Sequence, residues 1–183
     1  MDIKELLGDA QRFFLEGKYK ESVEVFTKII DAGEHTEIAC LSRGAAYFKM
    51  NEYDNAVKDF GAVTGLNDQN YRAYYYRGIA LLAKEEYEKA IADFDRVIKL
   101  KPDHGAAFFG RGTAYAHRGN EEEATKSIRT ALTYSEAVAQ GFADTAGIFR
   151  TQFDKAMAMM KGKESSMQLT EEETKELRKL LEE

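Results

Sequence analysis

A single spacing governs this chain. Gly44, Gly78 and Gly112 stand 34 residues apart, each preceded by an arginine: Arg43, Arg77 and Arg111. Stepping back by 34 lands on Ala10. Twelve residues after each of these small residues comes another, in Ser22, Ala56, Ala90 and Ala124. Sixteen after each comes a large one, in Phe26, Phe60, Phe94 and Ile128. The register runs without insertion or deletion from about residue 3 to 138, giving units 3–36, 37–70, 71–104 and 105–138. A fixed period of this length is the mark of a repeat array, in which each unit buries its apolar face against its neighbours.

Within a unit, counted from its first residue, positions 4, 8 and 11 share one helical face, and so do 20, 24 and 27. Two helices per unit, A then B, meet through these faces. Small residues at 8 and 20 let the backbones approach, and large residues at 4, 11 and 24 fill the space around them. The polar pairs Glu16-Gly17, Asn51-Glu52, Glu85-Glu86 and Gly119-Asn120 mark the turns between A and B. One proline in 183 residues is compatible with an all-helical chain.

These residues resemble the tetratricopeptide repeat, most closely in the unit 71–104, with Tyr74, Gly78, Leu81, Ala90, Phe94, Val97 and Pro102 at the family's positions. The resemblance implies an all-α, right-handed α-α superhelix, a solenoid of four helix pairs. After residue 138 the pattern weakens. Phe142, Ala146 and Phe149 continue it, and a capping helix is expected over about 137–161. The solenoid thus spans 1–161. A linker follows at 162–168, and then a short acidic amphipathic helix at 169–183. That helix opens on a Thr170–Glu173 capping box and carries Leu177, Leu180 and Leu181.

In this family the concave face, lined by helix A, receives a partner. The residues which that resemblance assigns to the groove are Leu7, Gln11 and Phe14 in the first unit, Leu41 and Phe48 in the second, Arg72, Tyr75, Tyr76, Ile79 and Leu82 in the third, and Phe109 in the fourth. Large apolar residues recur there although the A–B contact does not need them. A contiguous exposed apolar strip marks an interaction surface. The alternative is packing against the next helix A or under the C-terminal helix. The groove reading implies an adaptor or scaffold that takes a partner's amphipathic helix or extended peptide with apolar anchors. The competing reading is a self-assembly module, a homo-oligomer using the same strip or the last helix, and a third makes that helix an internal plug of the groove.

One branch of the family clamps the acidic C-terminal tails of heat-shock chaperones with Lys, Asn, Asn, Lys and Arg at five groove sites. Here those sites hold Leu7, Gln11, Ser42, Arg72 and Tyr76, of which only Arg72 fits. Weak or absent binding to such tails is expected.

A net charge of −6 does not suit the coating of a nucleic-acid backbone or an anionic membrane. No apolar run approaches the ~18 residues of a membrane span. The lone Cys40 allows no intrachain disulfide, and the opening residues are not a secretory leader, so the expected location is cytoplasmic. His35, His104 and His117 lack metal-ligand spacing, and no nucleophile has an evident base partner, so neither cofactor, metal nor enzyme activity is expected. Arg43, Arg77 and Arg111 suggest an anion ladder, but Asp59 and Asp93 on helix B favour structural pairing instead.

Overall fold

The computed structural model describes residues 3–134. The expected capping helix at about 137–161, the linker at 162–168 and the last helix at 169–183 lie outside the described residues. The described residues form eight helices and no strand: α1 (Ile3–Leu15), α2 (Tyr19–Asp31), α3 (Thr36–Lys49), α4 (Tyr53–Leu66), α5 (Tyr71–Ala83), α6 (Tyr87–Leu100), α7 (Gly105–His117) and α8 (Glu121–Tyr134). The four B helices therefore begin 34 residues apart, at 19, 53, 87 and 121. No helix among the described residues is long and apolar enough to cross a membrane.

The chain divides into two compact units, Met1–Glu85 and Glu86–Glu183. In the first unit each helix packs on the next, and α1 touches α3 as α3 touches α5. The A helices α1, α3 and α5 thus lie side by side, with α2 and α4 behind them. In the second unit α7 packs on α6 and on α8.

Each A helix ends in the same way. Gly17, Asn51, Glu85 and Gly119 all have left-handed backbones, with φ of 75°, 60°, 61° and 75°. The N–H of Gly17 donates to the Phe14 carbonyl at 3.1 Å and that of Lys18 to the Phe13 carbonyl at 2.9 Å. The same pair of bonds recurs after α3 (Asn51 to Phe48, Glu52 to Tyr47) and after α7 (Gly119 to Ala116, Asn120 to Tyr115). This is a Schellman closure, which satisfies the helix's last carbonyls and reverses the chain in two residues. The polar turn pairs in the sequence are these closures, and glycine fits two of them because it alone enters φ > 0 without a Cβ clash.

The connections from B to the next A differ. Asn67 and Lys101 leave α4 and α6 in extended conformations, whereas α2 runs into Ala32, still right-handed helical, before Gly33 and His35 turn left-handed. After α4, the Glu37 carboxylate accepts from the amides of Asn67 and Asn70 at 3.1 and 2.7 Å, and Asn70 Oδ1 caps α5 by accepting from the Ala73 N–H. His104 caps α7 in the equivalent place, its Nδ1 accepting from the Ala107 N–H at 3.2 Å.

The A–B seam matches the ruler. A Cβ built on Gly44 would stand 2.7 Å from Cε1 of Phe60, and one on Gly112 would stand 2.6 Å from Cγ1 of Ile128. Position 8 is therefore small because the residue at position 24 lies against it. In the first pair the seam is also hydrogen-bonded, with Ser22 Oγ donating to the Ala10 carbonyl at 2.9 Å. Phe26, Phe60, Ile29 and Val63 are fully buried around these contacts.

Candidate functional site

The arginines that precede the ruler residues are stitches within the fold. Arg43 Nε and Nη2 donate to both carboxylate oxygens of Asp59, at 2.8 and 2.7 Å, while Nη1 donates to Thr27 Oγ1 at 2.9 Å. One side chain on α3 therefore holds its own helix B and the helix B before it. Asp59 is buried, and a bidentate guanidinium–carboxylate pair in that setting is strong and oriented. Its charge-assisted bonds also hold the Arg43 guanidinium above its ordinary pKa. Arg111 repeats the arrangement with other partners, donating to Ser127 on α8 at 3.1 Å and to Asp95 on α6 at 2.6 Å. Arg77 donates to Thr64 on α4 at 2.9 Å.

Cys40 is equally structural in its surroundings. It packs with Val63 and Ala73 in the core, and burial, reinforced by Asp59, pushes its thiol up from the usual range. A thiolate is the reactive form, so this environment works against nucleophilic chemistry. Among the described residues no group of His, Cys, Asp and Glu could hold a metal ion.

The residues assigned to the groove fall into two sets. Gln11, Arg72 and Tyr76 are exposed, and Leu7, Phe14, Leu41, Phe48 and Tyr75 are half-buried. Ile79 (1% exposed), Leu82 (9%) and Phe109 (3%) are buried. Leu7 and Leu41 rest partly on the core, and Phe48 lies against Tyr53 with ring centroids 5.4 Å apart. Burial also pushes the Tyr75 phenol well above its ordinary range, so that it is neutral.

Between α1 and α3 the A face opens into a cavity of about 280 Å³ lined by Gln11, Phe14, Leu15, Phe26, Ser42 and Ala45. Gln11 and Phe14 are among the assigned residues. Leu15, Phe26, Ser42 and Ala45 are not, and they complete the site. Leu15 stands at the mouth, 84% exposed, while Phe26 belongs to the core and is 1% exposed. The signal for this cavity in the sequence is the pair of small residues, Ser42 and Ala45, three apart on one helix face. It points to an opening only once Phe26 is known to lie behind them. No lining residue carries a charge, so the site suits uncharged groups.

The helix pairs, their 34-residue step and the side-by-side A helices define a helical-repeat protein. A family model described as Tetratricopeptide repeat matches residues 41–103 and 78–141, together more than half of the chain, and the chain belongs to that family. Its fold class is the all-α tetratricopeptide-repeat superhelix. Among solved structures it is similar to that of MamA, with 26% identity, a TM-score of 0.70 and coverage of 75% of this chain and 81% of that one. It is similar to YrrB, described as a TPR protein with an unusual peptide-binding site, at 22% identity, TM-score 0.69 and coverage of 75% and 72%. It also resembles the first TPR of Spaghetti bound to an HSP90 peptide, SRMEEVD, at 27% identity, TM-score 0.53 and coverage of 72% and 90%. No curated protein matches the chain.

Proposed function

We propose that this protein is a protein-interaction adaptor which receives a segment of a partner, helical or extended, on the face formed by the A helices α1, α3 and α5. The observation that carries the reading is the open cavity between α1 and α3, flanked on the same face by the exposed Arg72 and Tyr76 of α5. Uncharged walls with two polar groups, Gln11 and Ser42, suit an apolar anchor oriented by a few hydrogen bonds. Two related folds support the class of ligand: one is described with a peptide-binding site and another is bound to a peptide.

The groove on this reading comprises Gln11, Phe14, Arg72, Tyr75 and Tyr76, with Leu7, Leu41 and Phe48 supporting them from the core side. Ile79, Leu82 and Phe109 act from beneath, as packing. The five sites of the chaperone-tail clamp still hold Leu7, Gln11, Ser42, Arg72 and Tyr76, so the partner is not an acidic tail. The role is binding rather than catalysis.

A random peptide library selected against the full-length protein tests this. The expected result is a family of peptides that bind with micromolar constants by calorimetry and lose at least about tenfold in affinity to an Arg72→Ala/Tyr76→Ala variant. Selected peptides indifferent to that variant, or a stable dimer in light scattering that hides Tyr76, would contradict the proposal.

A further inference from the structure

Three unit positions set α7 apart from the other A helices. At position 2, Lys4, Ile38 and Arg72 are exposed, whereas Ala106 is buried. At position 5, Leu7, Leu41 and Tyr75 are half-buried, whereas Phe109 is 3% exposed. At position 6, Gly8 and Tyr76 are exposed and Ser42 is half-buried, whereas Gly110 is buried. Gly8 and Gly110 are the same residue in the same phase, so side-chain size does not account for the difference between them. Flanking A helices do not account for it either. α3 has one on each side, α1 and α5, and its positions 2, 5 and 6 stay open. Within its own unit α7 packs on α8 through Gly112 and is tied to α6 through Arg111. Those residues, at positions 8 and 7, point away from positions 2, 5 and 6 on a helix of 3.6 residues per turn. The closed face of α7 needs another cover.

The chain leaves α8 beside that face. The hydroxyl of Tyr134, the last described residue, donates to the Pro102 carbonyl at 2.9 Å, and its ring stacks on Phe108 with centroids 5.7 Å apart. Residues 135–183 therefore start at the N-terminal end of α7, close to Ala106, Phe109 and Gly110. They contain two stretches of different chemistry. Residues 137–161 place Phe142, Ala146, Phe149, Phe153, Met157 and Met160 at helical spacing, and their only ionisable residues are Asp144, Arg150, Asp154, Lys155 and Lys161. Residues 169–183 carry nine ionisable residues in fifteen. The face of α7 offers Ala106, Phe109, Gly110, Thr113 and Ala116, none of them ionisable, so the charged stretch would be desolvated there without partners. The apolar stretch is also long enough. Its residues would span about 37 Å as a helix, against about 20 Å for α7.

We propose that residues 137–161 of this chain lie across the A face of α7, so that the fourth repeat holds a segment of its own protein where an A face could take a partner. The phenylalanines of that segment fill the space over Ala106, Gly110, Thr113 and Ala116. Large side chains on one element and small ones on the other give the close contact that a buried glycine requires. The segment does more than cap the end of the stack, because a helix placed only beside α7, as α5 is beside α3, leaves positions 2, 5 and 6 open. The proposal does not depend on the adaptor reading. Where both hold, α1, α3 and α5 are the A helices left to a partner, and Phe109 is withdrawn from it by the chain itself.

Thiol labelling of the full-length protein tests this, because the natural Cys40 is buried and gives a low background. Ala106→Cys and Ile38→Cys place a thiol at the same unit position in α7 and α3. The maleimide reaction of Ala106→Cys should be at least about tenfold slower than that of Ile38→Cys. Adding Phe142→Asp/Phe149→Asp should speed it at least about tenfold and leave the rate of Ile38→Cys unchanged. Equal rates at the two thiols, or no acceleration in a folded double variant, would overturn the proposal. A spin label on Thr151→Cys, which keeps the apolar residues, covers the case in which the aspartates unfold the repeat. It should broaden the methyl signals of Ala106 and Ala116 more than a label on Glu176→Cys does. The reverse order would assign the face to residues 169–183, and protection of Ala106→Cys that grows with protein concentration would assign it to a second copy. Either result overturns the proposal. Failure to select peptides that depend on Arg72 and Tyr76 would sink the adaptor reading and alter none of these outcomes.

Discussion

The A–B seam and the A face are built from the same helices and obey different rules. At the seam every repeat in the first unit solves the same problem. Ala10 and Gly44 are both buried beside the fully buried Phe26 and Phe60, and a Cβ on Gly44 would stand 2.7 Å from the Phe60 ring. On the A face, position 6 is Gly8, Ser42 and Tyr76 in successive repeats, and position 9 is Gln11, Ala45 and Ile79. The fold tolerates all of them. What is fixed holds the chain together, and what varies is, on the proposed function, what meets the partner.

The seam should fail first under substitution. Gly112→Val would place its branches against Cγ1 of Ile128, the Ala124 carbonyl oxygen at 3.1 Å and the Ile128 nitrogen at 3.2 Å. Two of those neighbours are backbone and cannot give way. A loss of about 3 kcal/mol is expected, read as a lower urea midpoint. An unshifted midpoint would break the distinction between seam and face.

Next in size is the stitch. Asp59→Ala removes the acceptor for two guanidinium bonds and leaves Arg43 part-buried, for a loss of about 2 kcal/mol. Replacing both partners by apolar residues of similar size should recover most of that loss, because the cost lies chiefly in the stranded charge. If the double variant is no better than Asp59→Ala, packing rather than the pair explains the effect.

A smaller effect depends on pH. Burial and the nearby Lys101 hold the His104 imidazole below its ordinary value of 6.5. Its Nδ1 caps α7 only while neutral. The unfolded chain therefore takes up a proton at a higher pH than the folded one. The stability is fully present above about 6.5 and is lost as pH falls from there through the folded value. A decrease of at most about 1 kcal/mol between pH 7 and 5 is expected from this group, and His104→Asn should abolish that component while keeping a cap. An identical acid response in the variant would remove His104 from the account.

The smallest change should have the opposite sign. A Cβ on Gly8, on the A face, would meet nothing within 4 Å. Gly8→Ala should therefore raise stability by up to about 1 kcal/mol through helix propensity alone, against the steep loss at Gly112. A destabilised Gly8→Ala would mean that the two faces are not as different as drawn.

The same contrast explains what the sequence made legible. The seam could be read because a 34-residue period and a size alternation are properties of the sequence itself. The turns could be placed, and Gly17 and Gly119 hinted at their left-handed geometry, although nothing in Glu85 did. The A face was harder to read. Gln11 and Ile79 occupy the same unit position, yet one is exposed and the other buried, a difference the 34-residue phase does not carry. Phe14 and Leu82 are likewise equivalent by phase and unequal in exposure. The cavity combines Phe26, a core residue by pattern, with Ser42 and Ala45, which look unremarkable in isolation.

The central claim is that residues of the A face, and not the fold, select the partner. Calorimetry of the full-length protein with the peptide SRMEEVD tests it most directly, since a similar fold is known bound to that peptide. With Leu7, Gln11, Ser42 and Tyr76 at four of the five clamp sites, the account predicts no measurable heat, or a dissociation constant of about 1 mM or weaker. A micromolar constant abolished by Arg72→Ala would contradict it.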